Sequence, residues 1–390
     1  MVYLNKDFIF YSRCRMSVYT GEYFKHVSDD ALRAVYYTFT PKPLTGGDHY
    51  SIDEELCALL VETHRALGVL EGMSMYIADN EIIRELMLLQ ECHYSRQIDY
   101  EDSDLHSLLK ARGNGRDFSA IKNMMNAYRQ SVEFPVAIGA LSAVCRTALH
   151  GAESTEDVDI RSNPIFITKA VTNLRQYNPT APKDIRPSLI DIAQYWKQDN
   201  SDVLVKAALA HYQFEMIHPF DCYNGIVGRI LISKALLSSH LNASHFLCPS
   251  LSLYNAKNDY FGILASTQRS GGYLLWIKFF IRSILDAAKR ASGQIQDYQR
   301  ITQYDKEKIR AHKASTENTL LLYDYFKEYL VSGIPRPAEV LHLTHATVSN
   351  AIKLLQESGI LRQSSIGSRN RTFMYSELID ILSIDTESRY

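Results

Sequence analysis

Residues 218–229 read His-Pro-Phe-Asp-Cys-Tyr-Asn-Gly-Ile-Val-Gly-Arg and lead directly into an apolar run at 230–237. A proline-containing turn between two apolar segments predicts a helix over 203–217, a tight loop, and a second helix starting at Asn224 and Gly225. At that start the backbone N–H groups are unpaired and the positive end of the helix dipole is exposed, so the mouth attracts an anion such as phosphate. His218 places a titratable base beside it.

The rest of the chain is consistent with a mainly α protein. Its 390 residues are 46% hydrophobic and 22% charged, enough for two or three cores. A formal charge of −2 gives no overall pull toward nucleic acid or membrane. No run of about 18 apolar residues is present and the first residues lack a signal-type apolar core, so a cytoplasmic location without membrane contact is expected. The cysteines at 14, 57, 92, 145, 222 and 248 have no paired spacing and read as reduced thiols. Helical periodicity covers 51–112, two helices in 120–150 broken near Pro135, then 187–198, 203–217, 260–270 and 273–291. A loop is expected at 151–159, a short hairpin at 160–170 around Pro164, and a proline-rich turn at 178–183.

The 218–229 segment resembles the signature of the Fic (fido) family: His-Pro-Phe, any residue, Asp or Glu, Gly, Asn, Gly, Arg, two residues, Arg. Here His218, Pro219, Phe220, Asn224, Gly225 and Arg229 are kept. Cys222 stands at the acidic position, Tyr223 at the first glycine and Ile226 at the first arginine. Similarity extends over roughly residues 55–290. The resemblance implies a Fic-type helical core with a short β-hairpin flap, and transfer of AMP from ATP to a hydroxyl of a target protein. His218 would be the catalytic base. Asn224, Gly225, Gly228 and Arg229 would hold phosphate, and Tyr260 falls where the family has an aromatic near the adenine pocket. It also implies an inhibitory helix in which Ser95 and Asp99 match the Ser-or-Thr and Glu positions, so that Asp99 would reach toward Arg229.

The departures weigh against full activity. A thiol is a poor Mg²⁺ ligand, and Asp221 could replace the lost carboxylate only through a local rearrangement. Ile226 supplies no charge for phosphate. Each lost stabilising group costs on the order of 10²–10³ in rate. Two readings therefore stand, with ATP as substrate or as ligand: a transferase with weakened or lost turnover, and an inactive nucleotide- or phosphate-binding regulator. A scaffold that binds no nucleotide is a third. A zinc site at His211, His218 and Cys222 is disfavoured because Pro219 interrupts the helix between them.

Residues 318–382 resemble a small winged helix-turn-helix, with Thr344 as the cap and Gly359 as the stop of its second helix. His345, Thr347, Ser349, Asn350 and Lys353 would face a DNA groove, and Arg369 and Arg371 on the wing would reach phosphates. One lysine in place of a basic stripe leaves a dimerisation or protein-docking role open, and a homodimer with it. The expected organisation is a helical amino-terminal region at 1–112, a core at 113–291, a helical connector at 292–317 and the winged unit at 318–390.

Overall fold

Aromatic and β-branched residues cluster at the amino end, and there they form a sheet, which corrects the expectation of a wholly helical region at 1–112. In the computed structural model, which describes residues 15–18, 20–27, 33–47, 49–77, 80–100, 104–131, 136–168, 175–198, 201–238, 242–365 and 371–383, β1 (Arg15–Val18), β2 (Gly21–Val27) and β3 (Val35–Pro41) pair antiparallel in that order. Tyr23 lies opposite Phe39, and both rings are buried. Their inward/outward alternation is only a few residues long, too short to outweigh the helical periodicity that follows.

Five helices come next: α1 (Glu54–Ser74), α2 (Asn80–Asp99), α3 (Leu105–Gly113), α4 (Ser119–Ser131) and α5 (Ile138–His150). Asp53 and Asp104 cap α1 and α3 by accepting from Leu56 N and Ser107 N. Pro135 lies outside the described residues. After the expected loop the hairpin is β4 (Ile167–Thr168) with β5 (Arg175–Tyr177). It sits later than expected because Arg161 is committed to the loop through its N–H to Pro219 O at 2.9 Å, and Pro164 has no N–H to pair. The expected hairpin end, 169–170, lies outside the described residues.

Helix α6 (Pro182–Gln198) starts five residues before the expected Pro187, with Pro182 in its first position, where a missing N–H costs nothing. Helices α7 (Val203–Ile217) and α8 (Asn224–Ser238) form the centre. Every residue from Ala207 to Ile217 is buried, so α7 is enclosed on all sides. A 3-10 turn (Asn242–Phe246) leads to α9 (Pro249–Asn255), α10 (Lys257–Ser270) and α11 (Tyr273–Ala311). The boundary expected at 291/292 falls inside α11, which runs on unbroken. Among the described residues no helix is long and apolar enough to cross a membrane.

The carboxy-terminal residues form α12 (Glu317–Tyr329), β6 (Val331–Gly333), α13 (Pro335–Val340), α14 (His345–Glu357), β7 (Arg362–Gln363), β8 (Thr372–Met374) and α15 (Ser376–Ser383), with sheet order β6-β8-β7. Thr344 caps α14 at 3.1 Å and Gly359 follows it at φ +74°. This unit is docked on the core. Ser332 Oγ donates to Gly113 O at 2.7 Å, Gly333 N to Asn114 Oδ1 at 2.9 Å and Gln90 Nε2 to Leu382 O at 2.6 Å. A Cβ on Gly113 would lie 1.5 Å from Val331 O, so the seam closes only because α3 ends in glycine. Gly113→Ala should therefore cost about 3 kcal/mol of unfolding free energy, the upper part of the overpacking range. An unchanged denaturation midpoint would contradict this tight seam.

Candidate functional site at the mouth of helix α8

The loop between α7 and α8 is shaped by two left-handed residues. His218, at φ +50°, ends α7, with its N–H on Phe214 O at 2.8 Å. Tyr223, at φ +61°, precedes α8. The glycine position of the resemblance thus keeps a backbone suited to glycine, and tyrosine adopts it at a cost of about 1–2 kcal/mol. Contacts with α2 offset that cost: the Tyr223 hydroxyl accepts from Arg96 at 2.8 Å, and its ring lies 5.8 Å from that of Tyr100.

Arg161 fastens the loop from outside. Its Nε donates to His218 O at 2.7 Å, Nη1 to Asn163 O at 2.8 Å, and Nη2 to Thr180 O and to Ile217 O. Burial lowers its pKa to about 10, which leaves it charged at neutral pH. Asn224 fastens the loop from inside: Phe220 N donates to its Oδ1 at 2.8 Å and its Nδ2 donates to Phe220 O at 2.7 Å. Both polar atoms of the Asn224 side chain, expected at phosphate, thus bond within the turn.

Helix α2 supplies a carboxylate at the mouth of α8. Arg229 is 1% exposed. Its Nε donates to Ser95 Oγ at 2.8 Å, and Nη2 to Ser95 O at 2.7 Å and Asp99 Oδ2 at 2.6 Å. Burial alone would lower the guanidinium pKa, but the charges of Asp99, Tyr260 and Glu215 outweigh it and the net shift is upward. Asp99 Oδ2 also lies 2.6 Å from where a Cβ on Gly225 would stand, so the missing side chain in the first turn of α8 makes room for the carboxylate. The structure thus brings Ser95, Asp99, Gly225 and Arg229 together, with the carboxylate where an anion is favoured.

His218 sits at the edge of this cluster, its side chain 13% exposed. Its Nδ1 faces the carbonyl of Glu215 at 3.2 Å and Glu215 Oε2 at 3.7 Å. Burial lowers its pKa to about 4, against the smaller raising effects of the Glu215 carbonyl and Asp99, so the ring is neutral at pH 7. Glu215 itself was missed by sequence reasoning, although a carboxylate within a mainly apolar helix was the available signal. It is buried, and burial pushes its pKa up to about 7.

The remaining expected residues fall in three places. Gly228 faces α7, where a Cβ would lie 2.5 Å from Glu215 Oε1, so it serves helix packing. Tyr260, expected near a nucleotide, is fully buried with its hydroxyl 2.9 Å from His211 Nε2. Ile226 is buried in the core. Asp221 and Cys222 are exposed, and burial together with the Asp221 charge raises the Cys222 thiol pKa. A protonated thiol is a poor Mg²⁺ ligand, so at the position of the lost acidic residue this loop offers such an ion no oxygen ligand, and Asp221 is the neighbouring carboxylate. In α14, His345, Asn350 and Lys353 are exposed, while Thr347 and Ser349 are half-buried and Thr347 belongs to the Thr344 cap. Arg371 is exposed over the Phe373 ring, and Arg369 lies outside the described residues.

The buried histidine makes a pH prediction. Its folded pKa, about 4, is below the ordinary 6.5. Between those values only the unfolded chain binds the proton, so this contribution to stability is complete above 6.5 and is lost as pH falls toward about 4. Glu215 opposes it, because its raised pKa removes stability as pH rises toward 7. His218→Asn should remove the rising histidine contribution and so lower the slope of unfolding free energy against pH between about 4 and 6.5 by up to about 1.4 kcal/mol per unit, leaving the falling Glu215 contribution uncompensated, as read by chemical denaturation. An unaltered slope would mean that the ring is not held neutral.

Residues 141–236, from α5 through α8, match the family model described as Fic/DOC family. Over 108 residues the chain is 28% identical to a protein named protein adenylyltransferase fic-1 from Caenorhabditis briggsae and 27% identical to its namesake from Caenorhabditis elegans. Each match spans 27% of this chain and 20% of the relative, so the chain aligns with about a fifth of the length of these proteins. A solved structure of a Fic family protein from Desulfovibrio desulfuricans G20 shares the fold, with a TM-score of 0.56 at 16% identity over 88% of this chain and 100% of that one. The helix pair and loop that carry His218 and Arg229 therefore lie within a Fic/DOC family domain at residues 141–236.

Proposed function

We propose that this chain is a self-restrained nucleotidyltransferase that moves AMP from ATP to a hydroxyl side chain of a target protein. One observation carries the reading: the Asp99 carboxylate occupies the anion-favouring mouth of α8, bonded to Arg229 at 2.6 Å, with the neutral base His218 at its edge. A protein that places its own carboxylate where phosphate would sit has a site to restrain. Departure of Asp99 would free the Arg229 guanidinium and the first amides of α8 for phosphate oxygens. His218 would then take the proton of the attacking hydroxyl as the α-phosphorus accepts the oxygen and pyrophosphate leaves. The names of the two Caenorhabditis relatives support this class of reaction.

A second reading, a nucleotide-binding regulator without turnover, is favoured by the poor fit of Cys222 to Mg²⁺ and by the loss of a guanidinium at Ile226. The helix–strand–helix–helix–hairpin order after residue 317 supports a winged helix as its output, with exposed His345, Asn350, Lys353 and Arg371 available to DNA.

Asp99→Gly opens the mouth and separates the two. With ATP labelled on the α-phosphate, this variant should label protein above the wild-type level, and adding His218→Ala should lower the rate by about 10²–10⁴. ATP binding by Asp99→Gly without any label transferred selects the regulator. Absence of binding in calorimetry sinks both.

A further inference from the structure

Glu215 contacts neither phosphate-binding group of the mouth directly, yet three observations attach it to the base. Its side chain is 2% exposed, on a helix whose other interior residues are mainly apolar. Its two acceptors, the main-chain carbonyl and Oε2, both face His218 Nδ1, at 3.2 and 3.7 Å. Its Oε1 is buried without a hydrogen-bond partner, in space that exists only because α8 has glycine at 228. A buried carboxylate oxygen left without a partner is costly, and such groups concentrate where chemistry uses them.

We infer that Glu215 is a positioning residue for His218: its carbonyl and carboxylate hold the imidazole in the Nδ1–H tautomer, leaving Nε2 as the proton acceptor, and its charge stabilises the imidazolium that follows. A carbonyl can only accept, so the proton belongs on Nδ1. When the target hydroxyl gives its proton to Nε2, the O–H bond breaks and the N–H bond forms. The oxygen then bonds to the α-phosphorus, and pyrophosphate departs with the electron pair of the broken P–O bond. The positive charge left on the ring lies beside the Glu215 carboxylate, the logic by which an acidic partner supports a histidine base in hydrolases. That this pair serves catalysis rests on the transfer reaction proposed above.

The surroundings bear on when Glu215 is charged. Arg229 on α8 favours its ionised form, whereas burial and Asp99 on α2 oppose it, and the result is a pKa of about 7. Tyr177 from β5 donates to Oε2 at 3.4 Å. His211 on α7 is held neutral, its pKa pushed down to about 3 by burial and by Arg229. Arg161, bonded to the His218 carbonyl, opposes charge on the ring. His218 and Glu215 therefore titrate as a pair.

The test uses the full chain with ¹⁵N-labelled histidine. In the wild type the His218 ring should show the neutral Nδ1–H pattern, with an inflection in its shifts near pH 7 as Glu215 ionises. In Glu215→Gln, which keeps size and an acceptor but no charge, the inflection should vanish. Gly228→Ala, which crowds the carboxylate, should displace it. In the Asp99→Gly background, Glu215→Gln should lower kcat by tenfold or more with KM for ATP unchanged, and remove the rise of kcat through pH 7. An Nε2–H ring, or an inflection that survives Glu215→Gln, overturns the assignment. The ring spectrum needs no turnover, so a chain that transfers no label removes the proposed reaction while the spectrum still decides whether Glu215 sets the tautomer and titration of the ring.

Discussion

Arg229 carries a full positive charge almost completely out of water, and such a charge persists only if neighbouring groups replace its hydration. The neighbours here are Ser95 and Asp99, so the guanidinium that would hold phosphate also ties α2 to α8. In the proposed restraint, structure and regulation would share one interaction. An anion that replaced Asp99, as proposed, would keep Arg229 satisfied while α2 lost a bond. The same helix is held elsewhere by Glu91, which accepts from Tyr128 and Ser250, and by Gln90, which donates to the last turn of α15. Helix α2 thus touches both the mouth of α8 and the carboxy-terminal unit.

Around this bond the loop is fixed by its backbone. Two residues in the left-handed region, His218 and Tyr223, turn the chain between two helices with little exposed surface, and Arg161 and Asn224 pair the carbonyls and amides that the turn leaves open. An imidazole on such a loop is held in position before any ligand arrives, as the proposed proton transfer would require. Tyr223 adds an aromatic link to α2 through Arg96 and Tyr100, so the residue that departs from glycine strengthens the closed arrangement.

Much of this was legible in order along the chain. The helical class, the start of α8 at Asn224, the place of His218 in the turn before it and the caps Thr344 and Gly359 all depend on residues within a few positions of one another. Pro187 is a poor guide to the start of α6, because it lies inside the helix, past the first turn, and the proline that marks the start is Pro182. For Tyr260 the aromatic character is visible in the sequence, but its burial against His211 depends on α7 and α10 meeting. Gly228, expected at phosphate, marks instead the close approach between α7 and α8.

Local sequence thus determined where a phosphate-attracting helix start and an imidazole occur, because hydrogen-bond periodicity and turn geometry are short-range. Tertiary structure decided which anion is found there. Asp99 and Arg229 are 130 residues apart, and only the packing of α2 on α8 sets their 2.6 Å contact. It also decided the ionisation of Glu215 and His218, since the cost of charge depends on how much water the surrounding helices exclude.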